Sequence, residues 1–228
     1  MNNTKHKILF VIPARKNSKR IKNKNLMVLR GQPLVVHSIR TALASKLADK
    51  IVVTTDNPKI GRIAKKLGVE YIKRPVKYAR DLSPDIQWLR HTLNALKASG
   101  FIPDYIVHLR PTSPLRNTRL VDEIIRKLIK NKNADAIRTV DKVKTPVQKC
   151  VYLGPGGFLK DYFNRNLSDI NLGAQNFPAS YTANGYVDVF KNSGFAKKID
   201  IYQGLKVLPY VLPGPVLDID ELSDLHGY

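Results

Sequence analysis

The sequence predicts an α/β protein with a largely parallel sheet that helices cover on both faces. Short apolar runs alternate with helix-like segments, and the connections between them are short. The first run, residues 8–12, ends at Pro13 and leads directly into a loop rich in Arg, Lys, Ser and Asn. Open α/β sheets bind ligands at loops that leave the carboxyl ends of their strands. The pattern therefore favours a nucleotide site over a solvated basic loop.

Local patterns predict the individual elements. Helical spacing is clear for Leu34, Val35, Ile39 and Leu43. Pro58 suits the first turn of the next helix, and Gly68 suits its carboxyl-terminal cap. The predicted helices are 34–45, 59–67, 86–99 and 120–130. The predicted strands are 8–12, 50–55, 69–72, 105–109, 134–140, 185–190 and 206–211, and the sheet is expected to end with the segment 216–220.

Residues 141–180 differ in character from the rest of the chain. They contain the run Gly154-Pro155-Gly156-Gly157, scattered aromatic residues and few long apolar runs. A segment of this size cannot bury a core alone. We therefore expect a hairpin-rich lobe inserted into a single domain that spans residues 1–228, and such lobes often meet a partner subunit.

Composition narrows the class of protein. The chain has 228 residues, and its hydrophobic content of 43% is that of a globular protein. No apolar run approaches the roughly 20 residues that cross a bilayer, and the polar start predicts no signal peptide. Cys150 is the single cysteine, which excludes an internal disulfide and a cysteine-based metal site. We expect a reducing, cytoplasmic compartment.

The charge balance is strongly basic, with 39 Lys and Arg against 18 Asp and Glu, a net charge of +21. Such an excess suggests nucleic acid or another anionic partner. The basic residues are spread along the chain, however, and no nucleic-acid-binding motif stands out. The favoured explanation is a background amino-acid composition rich in Lys, Asn and Ile. The positive charge also helps to attract anionic substrates.

Two aspartates near the end of the chain are candidate metal ligands. Asp218 and Asp220 flank Ile219, so both carboxylates would lie on one side of an extended segment. Mg²⁺ binds through one or two carboxylates together with phosphate oxygens and water. The alternative is a solvated strand end, in which a nearby carboxylate caps the following helix.

Further polar loops follow other predicted strands. The stiff loop 110–116 (Arg-Pro-Thr-Ser-Pro-Leu-Arg) is either a binding loop or a tight turn. Arg74 could contact a base or ribose, whereas Asp81 could simply pair with Arg80. Asn184-Gly185 could be a hairpin turn, but Tyr181 beside it makes a sugar-facing role possible. No Ser-His-Asp order and no histidine metal cluster stand out.

These motifs together resemble the acylneuraminate cytidylyltransferases, also called CMP-sialic acid synthetases. The similarity runs from residue 8 to about residue 225. The matching motifs are Ile12-Pro13-Ala14-Arg15 with Ser18-Lys19 and Lys24-Asn25, Val53-Thr54-Thr55-Asp56, Arg74-Pro75, Pro111-Thr112-Ser113-Pro114, Asn184-Gly185 and Asp218-Ile219-Asp220. The resemblance implies a Rossmann-like fold of the nucleotide-diphospho-sugar transferase type, with residues 140–180 as a dimerisation lobe.

The resemblance also implies an activity: Mg²⁺-dependent transfer of CMP from CTP to the anomeric hydroxyl of an acidic α-keto sugar, for cell-surface polysaccharide biosynthesis. The implied nucleotide-binding residues are Ala14, Arg15, Ser18, Lys24, Asn25, Arg74 and Asp81. The implied sugar-binding residues are Arg110, Pro111, Thr112, Ser113, Gln175, Tyr181 and Asn184. The implied catalytic residues are Arg15, Lys24, Asp218 and Asp220, of which the two aspartates hold Mg²⁺.

Several positions depart from the commonest family pattern. Asn17 and Arg20 stand where glycines are usual, Arg110 where glutamine is frequent, and Ala174 where an arginine is frequent. We expect Arg110 to take over the contact with the sugar carboxylate, because a guanidinium binds a carboxylate through two hydrogen bonds. This change opens the choice of sugar to legionaminic acid, pseudaminic acid or another nine-carbon relative.

Two alternatives remain open at this point. One is a related cytidylyltransferase for an eight-carbon sugar acid such as Kdo. The other is a basic nucleic-acid-binding protein on a degenerate nucleotidyltransferase fold, which the intact Arg15, Lys24, Asp218 and Asp220 argue against.

Overall fold

The chain folds as the alternating pattern predicts. The structure is a computed structural model that describes residues 6–18, 20–192 and 195–225. The helices are α1 (Leu34–Ala44), α2 (Pro58–Lys66), α3 (Asp85–Ala98) and α4 (Thr118–Lys130). The strands are β1 (Ile8–Pro13), β2 (Val28–Leu29), β3 (Gln32–Pro33), β4 (Lys50–Thr55), β5 (Glu70–Lys73), β6 (Tyr105–His108), β7 (Ala136–Lys142), β8 (Val151–Leu153), β9 (Leu159–Asp161), β10 (Tyr181–Lys191) and β11 (Val207–Val211).

Local signals set the start and end of the helices. The Asn57 side chain accepts a hydrogen bond from the Lys59 amide, and Pro58 occupies the first turn of α2. Asn117 caps α4 in the same way through the Arg119 amide. Helix α2 ends just before Gly68, whose φ of +73° is easy only for glycine.

A seven-stranded sheet forms the centre of the molecule, in the order β11-β7-β10-β6-β1-β4-β5. Strand β1 pairs in parallel with β4 and β6, β4 with β5, and β7 with β11. The predicted α/β class with a mostly parallel sheet is confirmed. Strand β10 is the exception, because it runs antiparallel to both β6 and β7.

Helices cover both faces of the sheet, as predicted. On one face, Phe10, Ile12, Val107 and Val189 pack against α1, α2 and α4. On the other, Leu9, Val11 and Ile106 pack against α3, with Trp88 and Leu89 at the contact. The carboxyl ends of the parallel strands meet at one edge between these layers.

Residues 216–220 differ from the prediction. They were expected to form the last part of the sheet, but they are loop and join no strand. Pro213 and Pro215 lie just before the segment and lack the amide hydrogen that a ladder needs. The Ile219 amide instead donates to the Thr112 carbonyl at 2.8 Å, which lays the segment across the carboxyl edge of the sheet.

The segment between β7 and β10 stands apart from the sheet. It contains the β8–β9 hairpin and several short helical turns. It leaves large apolar side chains exposed, including Leu153, Phe158, Leu159 and Tyr162. Among the residues that the structure describes, no helix is long and apolar enough to cross a membrane.

An irregularity in β10 shapes the edge that carries the polar loops. The register with β7 shifts between Ala183 and Asp188. The buried Thr139 hydroxyl serves the shifted strand by donating to the Val187 carbonyl and accepting from the Val187 amide, both at 3.0 Å. Without this hydroxyl, two buried backbone groups would lose their partner.

We predict that Thr139→Val lowers the free energy of unfolding by about 1–3 kcal/mol, because it strands buried polar groups. Thr92→Val is the matched control. The Thr92 hydroxyl is also fully buried and donates to the Trp88 carbonyl at 2.8 Å. That carbonyl also accepts the helical amide bond, so the control should cost less. Urea titration of both variants measures the difference, and equal losses would contradict the assignment.

Candidate functional site

A polar cleft of about 400 Å³ lies at the carboxyl edge of the sheet. Three sets of residues line it: the loop after β1, the region after β5 that leads into α3, and the loop after β6 together with β10 and residues 218–220. This edge is where the topology brings the strand-end loops together. The cleft contains most of the residues that the motifs single out.

The loop after β1 supplies the first cations. Arg15, Ser18, Lys24 and Asn25 all line the cleft. The Asn25 amide donates to the Arg15 carbonyl at 2.8 Å, which folds the loop back on itself. Ala14 is fully buried, and its amide donates to the Thr54 carbonyl, so it anchors the loop instead of lining the cleft. Lys19, which belongs to the same motif, lies outside the described residues.

Lys24 reaches from the loop after β1 to the segment that contains Ile219 and Asp220. Its side chain is 9% exposed, and its Nζ donates to Asp220 Oδ1 at 2.7 Å and to the Ile219 carbonyl at 2.9 Å. Arg20 Nη1 contacts the other oxygen of the same carboxylate at 2.8 Å. The hydrogen bond from Lys24 lowers the pKa of Asp220 below its usual value, with Arg20 adding to the effect. Asp220 is therefore ionised in the free protein.

Asp218 lies beside the loop after β6. Its Oδ1 accepts a hydrogen bond from the Ser113 hydroxyl at 3.4 Å. Gly185 of β10 approaches the same place with a φ of +67°, and a Cβ there would lie 3.6 Å from Asp218 Oδ2. Asp218 and Asp220 both line the cleft. The positive φ, together with a distance of only 3.3 Å from such a Cβ to Ser113 Oγ, favours glycine at position 185.

Arg74 forms the wall on the β4–β5 side. Its guanidinium lies over the Trp88 ring, 5.2 Å from the centroid, and Nη2 donates to the Thr54 carbonyl at 3.0 Å. Burial lowers the pKa of Arg74 to about 10, although Asp56 and Asp85 oppose the shift. The group stays charged at neutral pH. Asp81 lies nearby and accepts from Arg15 Nη1 at 2.7 Å.

The loop after β6 presents Arg110, Pro111 and Thr112 to the cleft, whereas Ser113 is buried behind them. Arg110 Nη2 donates to Asp85 Oδ2 at 3.3 Å and lies 3.7 Å from Asp188 Oδ2. Trp88 Nε1 donates a hydrogen bond to the other carboxylate oxygen of Asp85 at 2.8 Å. The Arg110 guanidinium is thus oriented by two carboxylates.

Four of the seven residues that the sequence predicts for a sugar site do not line the cleft, and the buried Ser113 is one of them. Gln175 and Tyr181 are exposed on the segment between β7 and β10 and at the start of β10. The Asn184 side chain is buried and donates to Asp141 Oδ1 at 2.9 Å while it accepts from the Tyr186 amide. Its neighbour Gly185 reaches the cleft instead.

The cleft also contains residues that the motifs did not single out. Asp85, Trp88, His108 and Arg138 line it, and Asp188 lies just beneath. A signal for three of them is visible in the sequence, because His108, Arg138 and Asp188 interrupt the apolar strand patterns YIVH, AIRTV and GYVDVF. A charged or polar residue on the buried face of a strand usually has a specific partner or a function.

Chemically, the cleft combines clustered guanidinium and ammonium groups with two carboxylates at one end. Cations of this kind neutralise a polyphosphate, and hard carboxylate oxygens suit Mg²⁺. Within the described ranges, no group of three or more His, Cys, Asp or Glu side chains is placed to hold a metal alone. A divalent ion at Asp218 and Asp220 would therefore share its coordination with phosphate and water.

Known proteins match both the sequence and the fold. Residues 9–155 match the family model described as cytidylyltransferase. The chain is 28% identical over 96% of its length to an N-acylneuraminate cytidylyltransferase of Escherichia coli O18:K1:H7, and it spans half the length of that protein. It is 28% identical to a pseudaminic acid cytidylyltransferase of Campylobacter jejuni, with 96% of this chain and 93% of the relative aligned.

A solved structure of CMP:2-keto-3-deoxy-manno-octonic acid synthetase complexed with CTP superposes with a TM-score of 0.66. The two chains are 15% identical, and the match covers 96% of this chain and 95% of that one. At this identity the superposition shows the fold alone. The family match covers well over half of the chain, and the chain therefore belongs to the cytidylyltransferase family of nucleotidyltransferases.

Proposed function

We propose that the protein transfers CMP from CTP to the anomeric hydroxyl of a sialic-acid-like, nine-carbon α-keto sugar acid and releases pyrophosphate. The observation that carries the proposal is the arrangement of one cleft. Arg15 and Lys24 lie on the side of the β1 loop, Asp218 and Asp220 at one end, and Arg110 on the β6 side. The names of the relatives from Escherichia coli and Campylobacter jejuni, an N-acylneuraminate and a pseudaminic acid cytidylyltransferase, support the same class of acceptor.

The charges suit the reaction. The α-phosphate of CTP repels an incoming oxygen until cations neutralise its charge, and the departing pyrophosphate needs the same help. In the free protein, Lys24 is paired with Asp220 and Arg15 with Asp81. Binding of the triphosphate would draw these cations from their carboxylates onto phosphate oxygens, because the triphosphate carries the larger negative charge.

Asp218 and Asp220 fit a Mg²⁺ ion by the chemistry of their oxygens. Asp220 is ionised, and both side chains line the cleft where phosphate would enter. A bound Mg²⁺ would supply Lewis-acid stabilisation of charge on the phosphate oxygens. Asp218 forms no ion pair among the described residues, so its carboxylate is the better candidate to accept the proton of the sugar hydroxyl.

We also propose that the protein is a homodimer that associates through residues 143–180. Leu153 and Phe158 are each 74% exposed in this segment, together with the exposed Leu159 and Tyr162. Exposed apolar side chains concentrated in one segment indicate a protein interface. A cytoplasmic location stays a prediction.

The first experiment measures pyrophosphate release from CTP and Mg²⁺ with N-acetylneuraminate, legionaminate, pseudaminate and Kdo. Turnover with one nine-carbon sugar supports the proposal and identifies the acceptor. Turnover with Kdo alone would favour the eight-carbon alternative. No turnover together with no CTP binding would overturn the proposal.

We predict that Asp220→Asn lowers kcat at saturating CTP and Mg²⁺ by about 100-fold or more, because a charged oxygen at the phosphate site is lost. The side chain is 51% exposed, so the free energy of unfolding should change by less than about 1 kcal/mol. Glu221→Gln is the control, since it removes the same charge from an exposed neighbour. Normal turnover in Asp220→Asn would remove this residue from the reaction.

For Arg110→Gln, we expect the KM for the sugar to rise by about 10-fold or more, with the KM for CTP unchanged, because a carboxylate loses its guanidinium partner. The exposed Arg119→Gln on α4 is the control for a lost charge. Steady-state kinetics with each substrate varied in turn make the comparison. Unchanged sugar KM would assign the carboxylate to another group.

For the interface, we expect Leu153→Lys combined with Phe158→Lys to give a monomer, because two buried charges would oppose association. Sedimentation velocity measures the mass of the variant against the unmodified protein. Ile199→Lys, at a residue that is 77% exposed outside this segment, is the control. A monomeric unmodified protein, or a variant that still dimerises, would contradict the proposal.

A further inference from the structure

Three polar side chains form a row across the sheet beneath the cleft. Asp188 of β10 stands opposite His108 of β6 on one side and Arg138 of β7 on the other. All three lie on the face that packs against α3, because each is two residues along its strand from a member of that core, namely Ile106, Ala136 or Phe190. His108 and Asp188 are each only 2% exposed.

Several buried polar atoms of the row and of the groups around it lack a hydrogen-bond partner. Among the described residues, buried polar atoms without one include both ring nitrogens of His108, Arg138 Nε and Arg110 Nε. Folded proteins satisfy the great majority of such groups. Their concentration at one end of a cleft indicates that something else supplies the partners. The Tyr202 hydroxyl faces Asp188, and this contact opposes the rise that burial causes in the pKa of Asp188.

The ion pairs within the row are longer than ordinary charge-assisted hydrogen bonds. Arg138 Nε lies 3.4 Å from Asp188 Oδ1, and Arg110 Nη2 lies 3.7 Å from Asp188 Oδ2. A direct charge-assisted hydrogen bond is about 2.7–2.9 Å long. These are therefore loose ion pairs, and a polar atom placed beside such a pair would lie within hydrogen-bond distance of both of its members.

The charges select the kind of group that fits. The guanidinium groups of Arg110 and Arg138 would repel a cation, and the carboxylates of Asp85 and Asp188 would repel an anion. Burial keeps the pKa of His108 well below its usual value, and Arg110 is the strongest of the neighbouring charges that add to this, so the ring is neutral. A neutral group that both donates and accepts hydrogen bonds suits this mixture of N–H donors and carboxylate oxygens.

The topology places the row on one side of the cleft. In the sheet, β1 lies between two groups of strands. Strands β6, β10 and β7, which carry the row, lie on one side, and β4 and β5 lie on the other, with Arg74 directly after β5. Trp88 stands between the two halves, since its ring lies 5.2 Å from the His108 ring and 5.2 Å from the Arg74 guanidinium. Arg110, assigned above to the sugar, borders the row.

We infer that His108, Asp188, Arg138 and Tyr202, with the inner edge of Arg110, form a buried subsite for a neutral hydroxyl or acylamino substituent of the acceptor sugar. This subsite is distinct from the contact with the sugar carboxylate. The inference rests on the proposed function and adds the feature by which the enzyme selects among sugar acids.

Two variants test the subsite. Asp188→Asn keeps the shape and removes the charged acceptor, and Tyr202→Phe removes only a hydroxyl. We expect each to raise the KM for the sugar by about 10-fold while the Kd for CTP stays within about twofold. Tyr105→Phe is the matched control, because Tyr105 is a buried tyrosine at the opposite end of β6.

The sugar probes distinguish the two substituents. N-acetylneuraminate is compared with the analogue that carries a hydroxyl in place of its acetamido group. If Asp188→Asn loses activity only with the acetamido sugar, the subsite binds an acylamino group. If the activity of Asp188→Asn falls equally with both sugars, the subsite binds a hydroxyl that the two sugars share.

A binding measurement separates this inference from the proposed function. Trp88 is the single tryptophan of the chain and borders the subsite, so its fluorescence reports sugar binding without turnover. No pyrophosphate release with any sugar would overturn the proposed function, and fluorescence that also stays unchanged at millimolar sugar would overturn both. Turnover in the unmodified protein, with sugar KM unchanged in both variants, would overturn the subsite alone. A larger change in the Kd for CTP than in the KM for the sugar would also overturn the subsite.

Discussion

The buried Arg116 guanidinium holds the β6–β10 side of the cleft together. It donates to the carbonyls of Arg110, Gly185 and Tyr186 and to the Ser38 hydroxyl. These contacts join the loop after β6, the irregular part of β10 and helix α1 at one point. Burial lowers the pKa of Arg116 to about 9, although Tyr186, Asp218 and Asp188 oppose that shift electrostatically. Arg110 and Gly185 are both held by this one group. The Ser113 amide donates to the same Arg110 carbonyl, and the Ser113 hydroxyl donates to Asp218.

A second constraint is the balance of charge inside the cleft. The chain carries a large positive net charge, but the cations at the candidate site are paired locally, Lys24 and Arg20 with Asp220 and Arg15 with Asp81. Unpaired cations at such close range would repel one another in the free protein. In the proposed reaction the same pairs would exchange partners when the triphosphate binds, so one arrangement stabilises the free protein and suits an anionic substrate.

The order of the strands gives the cleft two sides with different residues. The β4–β5 side carries Arg74 against Trp88, and the β6–β10–β7 side carries Arg110 above the row of His108, Asp188 and Arg138. The antiparallel insertion of β10 makes this row possible. It brings a strand from late in the chain between β6 and β7 and places an aspartate between a histidine and an arginine.

The sequence by itself determined the α/β class, the helices and the loops after β1, β5 and β6, because hydrophobic period, caps and strand ends are local signals. It also marked Lys24, Asp218 and Asp220, which lie in short motifs. The tertiary structure decided that residues 216–220 cross the sheet edge as a loop, that Asn184 turns inward while Gly185 reaches the cleft, and that Gln175 and Tyr181 stay outside it. Strand order and register decide which distant side chains become neighbours, and neither is written in any local stretch of residues. The buried row beneath Arg110 therefore became visible only in the folded chain.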